Sequence, residues 1–181
     1  LRRIHVCGPS GAGTSTLGRL VNRERGLTFL DSDDFYWLPS ETPFSKKRPP
    51  EARSELLGKA ASLDGEWIIS GSMMGWGDFL IPALTGVIYL WKPAEIRLKR
   101  LALRENERFG SRIGPEGDLR AQYESFMAWA NAYDSGGQGM RSRLSEEAWM
   151  ARLSCPILRI EDDIDEDGTL ALALPFIDSA G

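Results

Sequence analysis

The chain has 181 residues, 42% of them hydrophobic and 27% charged, and a formal net charge of −4. That length builds one domain with a real core, the acidic balance argues against bulk binding to nucleic acid, and no apolar run approaches the ~18 residues of a membrane span. Cys7 and Cys155 make no disulfide framework, and His5 alone supplies neither a usual zinc site nor a Ser-His-Asp triad. Acid–base work therefore falls to carboxylates, and charge stabilisation to arginines or Mg²⁺. With no signal peptide in view, the expected location is the cytoplasm; the start at Leu1 reads as a trimmed terminus.

The first apolar run, Arg3–Cys7, reads as a strand with His5 and Cys7 as packing residues. It leads into Gly8-Pro9-Ser10-Gly11-Ala12-Gly13-Thr14-Ser15 and then the helical pattern Leu17, Leu20, Val21. This segment matches the phosphate-binding loop Gly-x-x-x-x-Gly-Lys-Ser/Thr at every fixed position except the lysine, where Thr14 stands. A strand, a glycine turn and a helix start aim backbone N–H groups at one point. Gly8, Gly11, Ala12, Gly13, Thr14, Ser15 and Thr16 are the expected nucleotide-binding residues, with Ser15 placed to ligate Mg²⁺. Two other readings stay open. Gly11–Thr16 also reads Gly-x-Gly-x-x-Thr with an acid at Asp31 or Asp33, a dinucleotide pattern in which Thr16 occupies a position that favours Gly or Ala. The segment could also be a turn that only joins strand to helix.

The second run, Thr28–Leu30, ends in Asp31-Ser32-Asp33-Asp34. Carboxylates crowded at a strand end suit Mg²⁺ at Asp31 and acceptance of a hydroxyl proton at Asp33, and both would face one side if the strand continued. The plain alternative is a helix cap or solvated turn. Asp34, Trp37, Gly71 and Trp76 complete the expected acceptor side; the two tryptophans would stack on a planar substrate, exclude water, or simply pack their loops. Pro49 and Pro50 open a helix over Glu51–Leu63, and Trp67–Ser70 is the third strand.

Val87–Trp91 is the fourth strand, and Pro93 opens a helix at Ala94–Arg108. Arg97, Lys99, Arg100, Arg104, Arg108 and Arg112 cluster there, with Arg97, Arg100, Arg104 and Arg108 at one-face spacing. Arg104, Arg108 and Arg112 read as catalytic groups of a lid at about 109–117 that clamps phosphate and supplies the charge missing at Thr14. Surface ion pairs with Glu105 and Glu107 are the alternative. Asp118 could cap a third helix whose face carries Leu119, Tyr123, Phe126, Ala130 and Tyr133. Arg141 and Arg143 follow the glycine-rich Asp134–Gly139 and could bind the same phosphates. Ile157–Ile160 is the fifth strand, after which Glu161–Asp167 caps the last helix, with a nucleobase contact as a second option. Trp67, Trp91, Trp129 and Trp149 read as core.

Strands that are continuously apolar and alternate with helices predict an α/β fold with a parallel sheet and ligands at its carboxyl edge. One domain spans 1–181, with no internal repeat or boundary.

These features together resemble the P-loop small-molecule kinases, the group of nucleoside monophosphate, shikimate and gluconate kinases. The resemblance runs over nearly the whole chain: Gly8–Ser15, Asp31–Asp33, Ser70-Gly71-Ser72 and the arginine-rich stretch after the fourth strand. It is nearest to bacterial adenylate-kinase-like (topology-modulation-protein-like) proteins, whose loop also lacks lysine and which share Gly75-Trp76-Gly77-Asp78 and Arg108-Phe109-Gly110. It implies a three-layer α/β/α fold with strand order 2-3-1-4-5, ATP and Mg²⁺ as cofactors, and phosphoryl transfer to a small hydroxyl or phosphate acceptor. The chain departs from true adenylate kinases at Ser70-Gly71-Ser72-Met73-Met74, where their Asp-Gly-Phe-Pro-Arg signature would stand, so the resemblance does not extend to AMP. A nucleotide-binding regulator without turnover and a protein that binds NAD are the other functional readings. No nucleic-acid or membrane partner is expected.

Overall fold

The structure, a computed structural model, describes residues 1–62 and 64–181. Its sheet is built from β1 (Arg3–Cys7), β2 (Thr28–Asp31), β3 (Trp67–Ser70), β4 (Gly86–Leu90) and β5 (Ile157–Ile160). All pairings are parallel, in the order β2-β3-β1-β4-β5. The helices are α1 (Thr14–Arg25), α2 (Ser32–Tyr36), α3 (Pro50–Ala60), α4 (Ala94–Phe109), α5 (Arg120–Asn131), α6 (Arg143–Met150) and α7 (Glu166–Ser179). The all-parallel sheet and its strand order are those of the three-layer α/β/α fold that the resemblance implies.

The strands are apolar because both faces are covered. Ile4, Val6, Ile68, Ile69, Val87 and Ile88 are fully buried, each contributing roughly 1.5–3 kcal/mol of apolar burial. Register brings the strand ends level: Asp31 lies opposite Ser70, and Ser70 opposite Val6. The acidic end of β2 and the start of the loop after β1 thus emerge at one edge.

The described residues form two compact units. The first comprises 1–8, 13–90 and 153–181, and holds the whole sheet; the second comprises 9–12 and 91–152. Within the first, Arg2 bonds both oxygens of Glu66, at 2.9 and 2.7 Å, while Asp178 takes Arg25 at 2.9 Å and Arg2 at 3.5 Å. These contacts join the start of the chain to α7.

Proline starts behave as expected. Pro50 opens α3, and Pro93 is the residue before α4. α3 ends at Ala60, and its predicted last residue, Leu63, lies outside the described residues. Asp165 caps α7 by accepting from the Gly168 N–H at 2.8 Å, as the acidic tail predicts. Asp118 does not cap α5. That helix follows Leu119 with no side-chain cap, because both Asp118 oxygens are taken by Arg112, at 3.0 and 2.6 Å. Trp67 and Trp149 are core, whereas Trp129 is 37% exposed beside Phe126, and Trp91 is only half-buried.

Candidate active site

The phosphate loop has the backbone its glycines imply. Gly8, Gly11 and Gly13 have φ of 138°, 85° and 103°. Gly13 precedes α1, whose start carries no side-chain cap and no acidic residue in its first turn. A Cβ placed on Gly13 would meet nothing within 4 Å, so open space lies above the unpaired N–H groups of that turn. An anion fits there on both hydrogen-bond and dipole grounds. The loop is fixed from below. Ser70 Oγ donates to the Thr14 carbonyl at 2.9 Å, and the Leu17 N–H donates to the Gly13 carbonyl at 2.9 Å.

At Asp31 the acidic corner follows the helix-cap alternative rather than a continued strand. β2 stops at Asp31, which becomes the N-cap of α2 and accepts from the Asp33 N–H at 3.2 Å. Asp31 and Asp33 therefore do not alternate along a strand. Asp33 lies in the first turn of the short helix, exposed, and its Oδ1 accepts from the Trp37 indole N–H at 3.3 Å. Burial, then the charge of Asp31, pushes the Asp34 carboxyl above its usual range, while Arg19 opposes that shift. Arg19 lies 3.9 Å from Asp31 and over the Phe29 ring. The sequence reading did not single out Arg19. Its signal was its position one helical turn after Ser15.

Among the described residues, no three or more His, Cys, Asp or Glu side chains form a metal-holding group. Ser15 in the first turn of α1 and Asp31 at the end of β2 are oxygen donors of the kind Mg²⁺ takes, an ion that binds through one or two protein oxygens and completes its shell with phosphates and water.

Trp37 and Trp76 meet through Tyr36. Trp37 stands edge-on to Tyr36 at 4.9 Å and to Phe44 at 6.1 Å; Trp76 stands edge-on to Tyr36 at 6.1 Å and donates its indole N–H to the Ser72 carbonyl. These contacts pack the two rings against their own loops. Gly71 is also closely packed: its carbonyl lies 2.8 Å from His5 Nε2, and a Cβ there would strike Ser32 Oγ.

Arg53 on α3 is a second residue the sequence reading missed. It is 9% exposed, and its guanidinium lies 3.9 Å from the Tyr36 ring centroid. Its Nε donates to the Arg48 carbonyl at 2.7 Å, and among the described residues no carboxylate pairs with it. The available signal was its spacing of four from Leu57, which puts a charge on the buried stripe of α3.

The arginine cluster lies in the second unit. Arg97 does not share an exposed face with Arg100, Arg104 and Arg108. Its side chain is fully buried and donates to the Lys92 and Ala130 carbonyls and, at 2.6 Å, to Asp134. Arg104 and Arg108 both donate to Glu105, at 3.0 and 3.2 Å, so the ion-pair alternative describes their present state. Arg112 holds Asp118 within a short 3₁₀ turn, Gly110–Ile113. Arg141 donates to the buried Glu146 at 3.1 Å, and Arg143 lies over the Trp91 ring at 5.3 Å. Thus Asp31, Asp33, Asp34, Trp37 and Trp76 gather in the first unit with Thr14–Thr16, and the expected arginines gather in the second.

No protein-family model matches the sequence. Over 178 residues, 98% of each chain, it is 42% identical to the uncharacterized protein YqaC of Bacillus subtilis (strain 168). It is also 30% identical to a shikimate kinase of Pseudomonas entomophila (strain L48) over 135 residues, 69% of this chain and 78% of that one. The chain belongs to the P-loop small-molecule kinases. The fold agrees. A shikimate kinase from Acinetobacter baumannii superposes with a TM-score of 0.56 at 21% identity, over 99% of this chain and 94% of that one. A gluconokinase from Sinorhizobium meliloti 1021 gives 0.56 at 14% identity, over 98% and 91%. Membership in this kinase group sets aside the dinucleotide reading of Gly11–Thr16.

Proposed function

We propose that this P-loop kinase transfers the γ-phosphoryl group of ATP to a hydroxyl of a small anionic acceptor. One observation carries the reading. Ser70 Oγ anchors Thr14 at the open start of α1, and Ser70 is the strand partner of Asp31, so an anion cradle and a carboxylate corner share one support. Gly8 and Gly11–Thr16 would hold the nucleotide phosphates through backbone N–H groups. Ser15 and Asp31 would hold Mg²⁺, which when bound offsets triphosphate charge. Asp33, exposed and steadied by Trp37, would take the acceptor proton. Arg53, a buried cation without a carboxylate partner among the described residues, favours an anionic acceptor, because an uncompensated charge is costly to bury. Arg104, Arg108 and Arg112 would replace the missing lysine as a lid, for which Arg104 and Arg108 must leave Glu105.

The pairing of Arg104 and Arg108 with Glu105 also favours one other reading, a regulator that binds nucleotide without turnover. Calorimetry with Mg·ATP and Mg·GTP, followed by ATP consumption with shikimate, gluconate, nucleoside monophosphates and neutral nucleosides, separates the two. Turnover with an anionic acceptor is expected. Absence of heat at millimolar nucleotide removes both readings, and binding without turnover for every acceptor favours the regulator.

A further inference from the structure

The crown of the phosphate loop, Pro9–Ala12, belongs to the same compact unit as residues 91–152. Within that unit Gly11 rests on the backbone of Arg97. A Cβ on Gly11 would lie 2.8 Å from the Arg97 carbonyl oxygen and 3.1 Å from its Cα. The floor under the crown is therefore the first turn of α4. That turn is fixed by an unusual device. The guanidinium of Arg97, fully buried, donates to the Lys92 carbonyl at 2.9 Å just before the helix, to the Ala130 carbonyl at 3.1 Å on α5, and to Asp134 Oδ2 at 2.6 Å. The other Asp134 oxygen accepts from the Trp91 indole N–H at 2.6 Å. The Tyr133 ring lies 5.4 Å from the same guanidinium.

A helix turn needs none of this to form. Pro93 already starts α4, and the Arg97 N–H already bonds the Pro93 carbonyl at 3.1 Å. What the pairing of buried Arg97 with the more exposed Asp134 adds is position. It ties residues before α4, at its first turn and after α5 into one block, and Gly11 lies on that block. We infer that Arg97 and Asp134 are positioning residues that set the height and tilt of the loop crown, and with them the aim of its N–H groups. The inference rests on the reading of the loop as a nucleotide site. It also accounts for Arg97 standing apart from the arginines expected in the lid: its charge is spent on placing the loop, not on touching phosphate.

Removing the Arg97 side chain could unfold the unit, since it would leave Asp134 without its buried partner. Asp134→Asn and Trp91→Phe are milder. The measurements are amide hydrogen exchange in the nucleotide-free protein, the Kd for Mg·ATP, and Tm. Asp134→Asn is expected to speed exchange at Gly11 and Ala12 and to weaken Mg·ATP binding roughly tenfold, about the net worth of one hydrogen bond to the phosphates. Trp91→Phe should do the same to a smaller degree. A lowered Tm with unchanged exchange at Gly11 and Ala12 overturns the inference, because a purely structural pair predicts that pattern. If the wild type binds no Mg·ATP, the nucleotide reading fails by itself, and exchange at Gly11 and Ala12 still decides whether the pair holds the crown.

Discussion

Ser70 Oγ donates to the backbone carbonyl of Thr14, the residue that stands where a phosphate loop ordinarily has lysine. The anchor grips the main chain and leaves the Thr14 side chain out of the contact. The position can therefore accept a different side chain without loss of the loop's support.

That makes the missing charge testable. Alanine at the critical lid arginine, Arg104 or Arg108 first and Arg112 second, is expected to lower kcat roughly 10³-fold, the low end of arginine-finger effects, with a smaller change in ATP affinity. Adding Thr14→Lys to that variant should restore part of the rate. Near-normal kcat in all three single variants would leave Arg104 and Arg108 as the partners of Glu105, and Arg112 as the partner of Asp118, that they are at rest.

Asp33 and Asp31 should separate kinetically. Asp33→Asn is expected to lower kcat by ~10²-fold or more while nucleotide binding persists, as for loss of a general base. Asp31→Asn should raise the Mg²⁺ concentration needed for half-maximal rate. Steady-state kinetics against acceptor and against metal distinguish the two, and full turnover by Asp33→Asn removes that residue from the mechanism.

Arg53→Met should raise the KM for an anionic acceptor and leave the KM for ATP unchanged. The substitution keeps an unbranched apolar side chain beside Tyr36 and deletes the charge. An equal loss toward neutral nucleosides would show that Arg53 shapes the pocket and does not recognise charge.

The Asp34 carboxyl is held above its usual range, first by partial loss of hydration and then by the charge of Asp31, with Arg19 opposing. A raised acid binds its proton more tightly folded than unfolded, so it removes stability as pH rises through the interval between its unfolded and folded values. Asp34→Asn should therefore have a higher Tm than wild type at pH 7, with the difference closing near pH 3. Thermal melts across that range check the sign.

Glu66 behaves in the opposite sense. Hydrogen bonds from Arg2 hold its carboxyl at about 2, below the ordinary 4.5. Its contribution is present above the unfolded value and fades as pH falls from 4.5 toward 2. Arg2→Ala should flatten that part of the acid-denaturation curve.

Strand order and strand positions were readable because continuous apolar runs mark covered parallel strands, and the resemblance supplied the order that the register then shows. The loop was readable because glycine spacing reports backbone geometry directly. Local polar competition was harder to read. Asp31 caps a helix because the chain turns helical at Ser32; a cap is one of the two readings of these carboxylates, and the run of acids by itself does not choose between it and a continued strand. Asp118 satisfies Arg112 in place of the α5 start, a choice made by three-dimensional proximity. Arg53 and Arg97 sit at spacings that look like ordinary charged helix positions, and only packing shows that each is enclosed.

The place of β1 bears on how the chain acquires its shape. The first strand, residues 3–7, is the middle of the sheet and pairs with residues 67–70 on one side and 86–90 on the other. A chain emerging from the ribosome exposes Ile4 and Val6 long before either neighbour exists, and the second neighbour arrives only with β4. Closure over such separations is slow, and an unsatisfied central strand invites pairing with other chains. A fragment ending before Gly86 is thus expected to aggregate, whereas one that includes β4 completes both flanks of its founding strand.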